Sequence, residues 1–249
     1  MMHDAPVPSS RTPEEVWADL LEGNRRFAAG EASHPGRGVA DRERLMHGQA
    51  PEAVVLGCAD SRVPPEIIFD AALGEVFDVR TAGEILDDAV VASLEYAVDH
   101  LHAKVLVVLG HEGCGAVSAA AEYVDEIARQ CDDCDDFADD EDEDLDALAA
   151  AGAIVDRAAH ADQMRQRRMQ VLLGLQESPI LRDVGESVRA SRAAELYASD
   201  DYERTHVART IEMLVRDSAV IRDAVADGRL AIAGARYVMR TGLVEVLSF

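Results

Sequence analysis

The sequence predicts an α/β fold built on a parallel sheet. The apolar runs at residues 53–58 and 104–110 are nearly continuous in hydrophobic character, as expected of strands that are covered on both faces. A third β-rich run lies between them at residues 75–80, and a helical stretch follows it from Asp87 to Leu101. Strand, helix and strand at this spacing indicate βαβ units with right-handed crossovers.

Helical patterns flank the predicted strands. Thr12 stands before a proline and two glutamates, which is the pattern of an N-cap and an acidic first turn, and the helix continues to about Ala29. Its apolar stripe, which includes Trp17, has to be buried. The chain closes in two or three strands joined by a turn at residues 241–242. Further helical segments are predicted at residues 41–47, 153–176 and 201–227.

The composition limits the size of the fold and its partners. The 249 residues, 48% of them hydrophobic and 29% charged, agree with one folded domain. A net charge of −24 disfavours binding to nucleic acids and to anionic membranes.

No apolar run approaches the ~18 residues of a membrane span and no secretion signal is recognisable, so we expect a cytoplasmic protein. Lys104 is the only lysine, a pattern typical both of adaptation to high salt and of a GC-rich genome with one acidic insertion.

An acidic segment interrupts the second half of the chain. Residues 132–146 contain 11 acidic side chains in 15 positions, and we expect a solvated loop or disordered insertion within about 124–176. Cys131 and Cys134 belong to this segment, and a redox pair or an extra metal site is the alternative interpretation of their spacing. Because the surrounding acids raise thiol pKa values, we expect no chemistry from them. Four cysteines are too few for a disulfide framework, which favours a reducing compartment.

Two predicted strand ends carry metal-ligating side chains. Cys58 ends the first strand and precedes Asp60 and Arg62, while His111 and Cys114 follow the strand at 104–110. Loops at the carboxyl ends of neighbouring parallel strands face one crevice, so the two clusters should meet. Two thiolates and one imidazole suit zinc. The fourth coordination position of the zinc ion is left for Asp60 or for water. If Arg62 pairs with Asp60 and holds it off the metal, zinc-bound hydroxide can form near neutral pH.

These residues resemble the motifs of the β-class carbonic anhydrases. GCADSRVPPEIIFDAALGEVFDVRTAG looks like the family's first zinc segment and VLVVLGHEGCGAV like its second. The segment from His206 to Tyr237 is similar to the closing helix and last core strand, and the resemblance covers residues 12 to about 122 and 178 to 249. It implies a four-stranded parallel sheet with flanking helices and a C-terminal edge strand. The chain is then a single domain over residues 1–249, with an N-terminal helical arm at 12–30.

The resemblance also implies roles for individual residues. Asp60 and Arg62 match the family's gating and catalytic pair. Glu84 stands where many members have asparagine, and we expect it to add a negative charge near the mouth of the site. The implied zinc ligands are Cys58, His111 and Cys114. The implied substrate-binding residues, some of them acting from a neighbouring subunit, are Gln49, Phe77, Ala82, Tyr96 and Gly115.

The implied function is that of a zinc lyase, a carbonate dehydratase that interconverts CO2 and water with bicarbonate and a proton. Its small-molecule partners are CO2 and bicarbonate. Family members are homodimers or higher even-numbered homo-oligomers with the N-terminal helix packed across the partner, which would bury the stripe around Trp17. Two alternatives remain open: a hydrolase of carbon disulfide or carbonyl sulfide on the same fold, and a non-catalytic zinc protein, closed by Asp60, whose acidic insertion binds a partner.

Overall fold

The computed structural model describes residues 9–127, 129 and 178–249. Its centre is one sheet with strands β1 (Ala53–Cys58), β2 (Val76–Thr81), β3 (Val105–His111), β4 (Ala231–Val238) and β5 (Leu243–Ser248). The strand order is β2-β1-β3-β4-β5. The first four strands are parallel and β5 pairs with β4 in the antiparallel sense. The predicted four-stranded parallel sheet with a C-terminal edge strand is therefore confirmed.

Helices cover both faces of this sheet. Val55 and Leu109 belong to one apolar core, and Val54 and Leu56 to a second core on the opposite face, so the continuous apolar strands are buried on both sides as predicted. None of the helices in the described part of the chain is long and apolar enough to cross a membrane. The helices are α1 (Pro13–Ala28), α2 (Val39–Arg44), α3 (Pro65–Ile68), α4 (Asp88–Asp99), α5 (residues 115–127), α6 (Pro179–Ala193), α7 (Ser199–Asp217) and α8 (Ala219–Ala226).

The helix ends show why some predicted segments are correct and one is divided. Thr12 caps α1 through a capping box with Glu15, in agreement with the sequence signal. The helical pattern at 201–227 forms two helices, because Ser218 has extended backbone angles (φ −102°, ψ 113°) and its hydroxyl accepts a hydrogen bond from the Ile221 N–H.

Helices α5 and α6 were not predicted. The predicted helix at 153–176, Cys131, Cys134 and the acidic run at 132–146 lie outside the described residues.

The stripe of α1 is buried by the chain itself. Trp17 is 4% exposed. Its ring packs edge-on against Phe69, with 6.3 Å between ring centroids, and stacks on Phe249 at 5.9 Å. The residue that follows α3 and the last residue of the chain thus supply apolar surface for Trp17 within one chain, and packing of α1 across a partner subunit stays a prediction.

The strand order places a crevice between β1 and β3. From β1 the chain passes to β2 on one side, whereas β3 lies on the other side of β1. In open α/β sheets, such a reversal of strand order opens a crevice at the carboxyl ends of the strands. Cys58 is the last residue of β1 and His111 the last residue of β3. The topology therefore delivers both predicted clusters to the same edge of the sheet.

Helix α7 approaches the end of β3 closely. A Cβ atom built on Gly110 would lie only 2.7 Å from Cγ2 of Val207 in α7. A glycine at this position is therefore required for the close contact between helix and strand. Because Gly110 immediately precedes His111, the contact brings side chains of α7 next to the predicted metal loops.

Candidate metal centre

Cys58, His111 and Cys114 form a buried cluster at the crevice. One ligand atom from each residue, Sγ or a ring nitrogen, lies within 4.8 Å of the others. None of the three residues is more than 5% exposed. In a tetrahedral site with Zn–S near 2.3 Å and Zn–N near 2.0–2.1 Å, ligand atoms are about 3.5–3.8 Å apart. The three side chains would therefore need to move only a little to bind one ion. The structure thus brings together the two strand-end clusters that the sequence singled out.

The His111 ring is oriented as a metal ligand. Its Nδ1 lies 3.1 Å from the carbonyl oxygen of Glu112. A carbonyl only accepts hydrogen bonds, so Nδ1 carries the proton and Nε2 has a free lone pair. Nε2 is buried and has no hydrogen-bond partner among the described residues. A buried polar atom without a partner calls for an explanation, and a metal ion held with the two sulfurs supplies one.

The two thiols share one negative charge. Hydrogen bonding with Cys114 lowers the pKa of Cys58 to about 4, and the backbone N–H of Gly83, 3.4 Å from Sγ, supports the thiolate. The same hydrogen bond and burial raise the pKa of Cys114. Burial of the His111 ring opposes its protonation, but the Cys58 sulfur, the Glu112 carbonyl and the Asp60 charge together raise the pKa of His111. A thiolate is the form that binds zinc, so the cluster is chemically suited to that ion.

Asp60 is bound to Arg62 and lies outside the cluster. The guanidinium group donates from Nε to Oδ1 at 2.9 Å and from Nη2 to Oδ2 at 2.6 Å. This pairing holds the pKa of Asp60 well below its ordinary value. Arg62 Nη2 also donates to the carbonyl of Gly113 at 3.3 Å, on the second loop. In the described part of the chain no fourth acidic, cysteine or histidine side chain joins the three ligands. This geometry differs from the alternative in which Asp60 closes the site.

Arg80 is a structural element of the site that sequence reasoning missed. It stands near the end of β2 and donates from Nε to the Cys58 carbonyl at 2.8 Å and from Nη2 to the Asp60 carbonyl at 2.6 Å. The Ala59 N–H donates to Thr81 O at 2.9 Å. These bonds hold the turn that carries Cys58 and Asp60 against β2. An arginine at a strand end was visible in the sequence, but its two acceptors were not.

Two further predicted site residues lie next to the cluster. Gly115 begins α5 directly after Cys114 and is exposed. Ala82 is exposed in the short 3₁₀ turn Ala82–Glu84, beside the glycine whose N–H reaches Cys58. Both positions can border a substrate approaching the metal, and their roles stay predictions.

Three predicted substrate-binding residues lie elsewhere on the chain. The rings of Phe77 on β2 and Tyr96 on α4 have centroids 6.2 Å apart, and Tyr96 is 45% exposed. Gln49 is exposed in the segment before β1 and lines a cavity of about 680 Å³ together with Met46 and Leu73. None of the three metal-cluster residues lines that cavity. Gln49 precedes the first residue of β1, whereas Cys58 is the last residue of that strand, and the role of Gln49 stays a prediction.

Glu84 faces the interior of the protein. Its residue is 2% exposed and its backbone is left-handed, with φ +46°. Burial, together with the nearby charges of Cys58 and Glu203, raises the pKa of this carboxyl well above its ordinary value. Burial therefore favours the neutral form of this carboxyl group. The expectation of an added negative charge at the mouth is wrong, because the turn after β2 directs the side chain inward.

Comparisons with known proteins agree with this geometry. The family model described as carbonic anhydrase matches residues 53–187. Carbonic anhydrase 2 of Mycobacterium tuberculosis is 36% identical over 230 residues, which cover 92% of this chain and 90% of the relative. The solved structure of a Coccomyxa β-carbonic anhydrase in complex with acetazolamide is similar with a TM-score of 0.54 at 27% identity, over 92% of this chain and 84% of that chain. A tetrameric β-carbonic anhydrase of Sordaria macrospora has a TM-score of 0.54 at 22% identity, over 94% and 98% of the two chains.

Proposed function

Because this chain belongs to the β-carbonic anhydrase family, we propose that Cys58, His111 and Cys114 hold its zinc ion and that Asp60 and Arg62 form its catalytic pair. The activity is the reversible, zinc-dependent hydration of CO2 to bicarbonate and a proton. The observation that carries the assignment of the ligands is the buried cluster of two sulfurs and one imidazole nitrogen that has no hydrogen-bond partner in the part of the chain that the structure describes. Zinc in this place supplies a Lewis acid that makes water a nucleophile near neutral pH.

Asp60 orients the nucleophile in this proposal. Its lowered pKa keeps the carboxylate ionised, so that it acts only as a hydrogen-bond acceptor. Oδ1 accepts from both Nε and the backbone N–H of Arg62, whereas Oδ2 accepts only from Nη2 and keeps a second acceptor site that can take a hydrogen from the attacking water. The bond from Arg62 to Gly113 O ties this pair to the second metal loop. The carboxylate therefore keeps a fixed direction relative to the metal.

We assign binding of the uncharged substrate to apolar and amide side chains around the site. CO2 has no charge and no net dipole, so a small apolar pocket fits it better than a polar one. Ala82 and Gly115 border the cluster, whereas Phe77, Tyr96 and Gln49 would act across a subunit boundary. The exposure of Tyr96 and Gln49 in one chain supports an action toward a second chain.

We propose a homodimer or a higher even-numbered homo-oligomer as the active form. Among the described residues, no strand pairs with the outer side of the edge strand β2, and apolar side chains near it are unusually exposed, including Met46 at 75% and Leu73 at 46%. Exposed apolar surface of this kind marks interaction sites. We expect light scattering to give a mass of at least two chains in solution. A stable monomer with full activity would contradict the assembly.

The remaining proposals concern organisation and location. The described residues from α1 to β5 share one sheet and its two cores, which supports a single domain over residues 1–249 with a helical arm at 12–30 and an insertion at about 124–176. A cytoplasmic location is supported by the chemistry of the site, because a reducing compartment keeps Cys58 and Cys114 as free thiols able to bind zinc.

The experiment that tests the reaction compares three substrates on one sample of known zinc content. We expect rapid CO2 hydration in stopped-flow measurements and bicarbonate as product. Hydrolysis of carbon disulfide and carbonyl sulfide, followed as sulfide release, should be far slower. Sulfide release without CO2 hydration would move the protein to the hydrolase alternative, and zinc-loaded protein inactive on all three gases would favour the non-catalytic one.

A further inference from the structure

Helix α7 directs two buried side chains at the two metal loops. Glu203 and His206 are 2% and 1% exposed. They lie three positions apart in α7, so both project from the same face of the helix. Both residues also lie outside the segment 53–187 that the family model matches. The proposed mechanism assigns neither of them a role.

Glu203 holds the loop between the ligands His111 and Cys114. Its Oε1 accepts hydrogen bonds from the backbone N–H groups of Gly113 at 2.8 Å and of Cys114 at 3.4 Å. Its Oε2 accepts from Nε of Arg236 at 2.7 Å. Arg236 lies on β4 and is itself 3% exposed. The carboxylate is therefore fixed on both sides, with its charge balanced by Arg236.

His206 holds the turn that supports the other sulfur. Its Nε2 lies 2.6 Å from the Gly83 carbonyl, and the carbonyl can only accept, so Nε2 carries the proton. Nδ1 lies 2.9 Å from Oγ of Ser187 and accepts its hydroxyl hydrogen. Burial lowers the pKa of His206 and keeps this neutral form. The carboxyl oxygen of Glu84, at 3.9 Å from Nε2, is a more distant neighbour than the carbonyl.

The contact with Gly83 connects His206 to Cys58. The N–H of Gly83 lies 3.4 Å from Sγ of Cys58 and donates to it. Gly83 has φ +69°, a left-handed conformation that glycine adopts freely. The bond from His206 to the carbonyl of Gly83 connects this turn to α7. Ser187, His206 and Gly83 thus form a chain of hydrogen bonds that ends at a metal-binding sulfur.

We infer that Glu203 and His206 are positioning residues that set the geometry of both zinc-binding sulfurs through the backbone of the two loops. This inference rests on the proposed assignment of Cys58 and Cys114 as zinc ligands. Outer contacts of this kind typically contribute about 10- to 100-fold to metal affinity or activity. An N–H donated to a thiolate also withdraws charge from the sulfur and changes the electronic state of the bound metal.

The test compares variants of α7 in the full-length protein. His206→Leu removes both ring nitrogens, whereas His206→Gln keeps an N–H that can reach Gly83 O. Glu203→Ala removes the acceptor for the second loop. Thr210→Val is the matched control, because Thr210 is buried in the same helix and its hydroxyl has no hydrogen-bond partner in the described part of the chain.

Two measurements report on the metal rather than on turnover. The first is the rate of zinc release to a chromophoric chelator. The second is the thiolate-to-metal charge-transfer band of cobalt-substituted protein, which senses hydrogen bonds to sulfur. We expect about 10-fold faster zinc release for His206→Leu and Glu203→Ala, with a shifted band for His206→Leu. His206→Gln should restore most of the original rate and band, and Thr210→Val should change neither.

Three outcomes decide the inference. It is wrong if His206→Leu and Glu203→Ala release zinc at the rate of Thr210→Val with an unshifted band. Should His206→Leu fail to fold, Ser187→Ala tests the same chain of bonds with a smaller change, and an unaltered release rate and band for that variant would equally overturn the role of His206. Cys58→Ser separates this result from the proposed function, because retention of full zinc by that variant would refute the ligand assignment itself.

Discussion

Replacing Cys58 with serine should remove zinc binding and CO2 hydration together. Serine is not a thiolate donor, and two remaining protein ligands are fewer than the three that hold catalytic zinc. Loss of a hydrogen bond that orients a metal ligand costs about 10- to 100-fold in metal affinity, so loss of a direct ligand should lower the affinity by more than ~100-fold. We expect the zinc content after desalting to fall from about one ion per chain to below about 0.1, with CO2 hydration reduced in proportion.

The matched control is the same substitution at Cys131. That residue lies in the acidic segment, outside the described residues, and we predict no chemistry for it. Cys131→Ser should therefore keep the zinc content and the rate of CO2 hydration of the unaltered protein. Circular dichroism would show whether both variants keep their secondary structure. Full zinc content and full activity in Cys58→Ser would contradict the proposed metal site.

Replacing Arg62 with alanine should lower kcat for CO2 hydration by about 100-fold, at the lower end of the range for a correctly placed acid–base group, and should leave zinc content unchanged. Arg62 holds both oxygens of Asp60 and ties them to Gly113 O. Without this partner, the carboxylate loses its fixed direction and becomes free to bind the metal, which would close the site. Stopped-flow hydration assays with zinc analysis of the same sample measure both effects.

Three companion variants separate the causes of this loss. Arg62→Lys keeps the positive charge but cannot form the two-pronged contact, so its activity should lie between those of the unaltered protein and Arg62→Ala. Asp60→Ala combined with Arg62→Ala should be more active than Arg62→Ala alone if the freed carboxylate blocks the metal. Arg216→Ala is the control, because Arg216 forms the same two-pronged pair with Asp217, at 2.6 and 2.7 Å, on an exposed surface. An Arg62→Ala protein as active as Arg216→Ala would refute the role of the pair.

The secondary structure was predictable where a local pattern decided it. The predicted strand at 53–58 has the same bounds as β1, and Thr12 caps α1 as its sequence pattern indicates. The prediction failed at the break between the helices α7 and α8. This break depends on the single residue Ser218, and the residues around it have an ordinary composition. The extended backbone of Ser218 lets α8 fold back, which α4 and its contacts with α8 stabilise. Because α4 and α8 are far apart in the sequence, a local hydrophobic pattern cannot predict the contact between them.

The amino-acid sequence by itself determined the parallel α/β class, the strand ends that carry Cys58, His111 and Cys114, and the preference of that ligand set for zinc. These features follow from residue type and short spacing, which are local properties of the chain. Only the tertiary structure decided that Trp17 is covered within its own chain, that Glu84 is buried, and that α7 supports the metal loops. The physical reason is distance in sequence: His206 and Gly83 are 123 positions apart, and whether a donor lies within hydrogen-bond reach of such an acceptor depends on how the helix packs against the sheet.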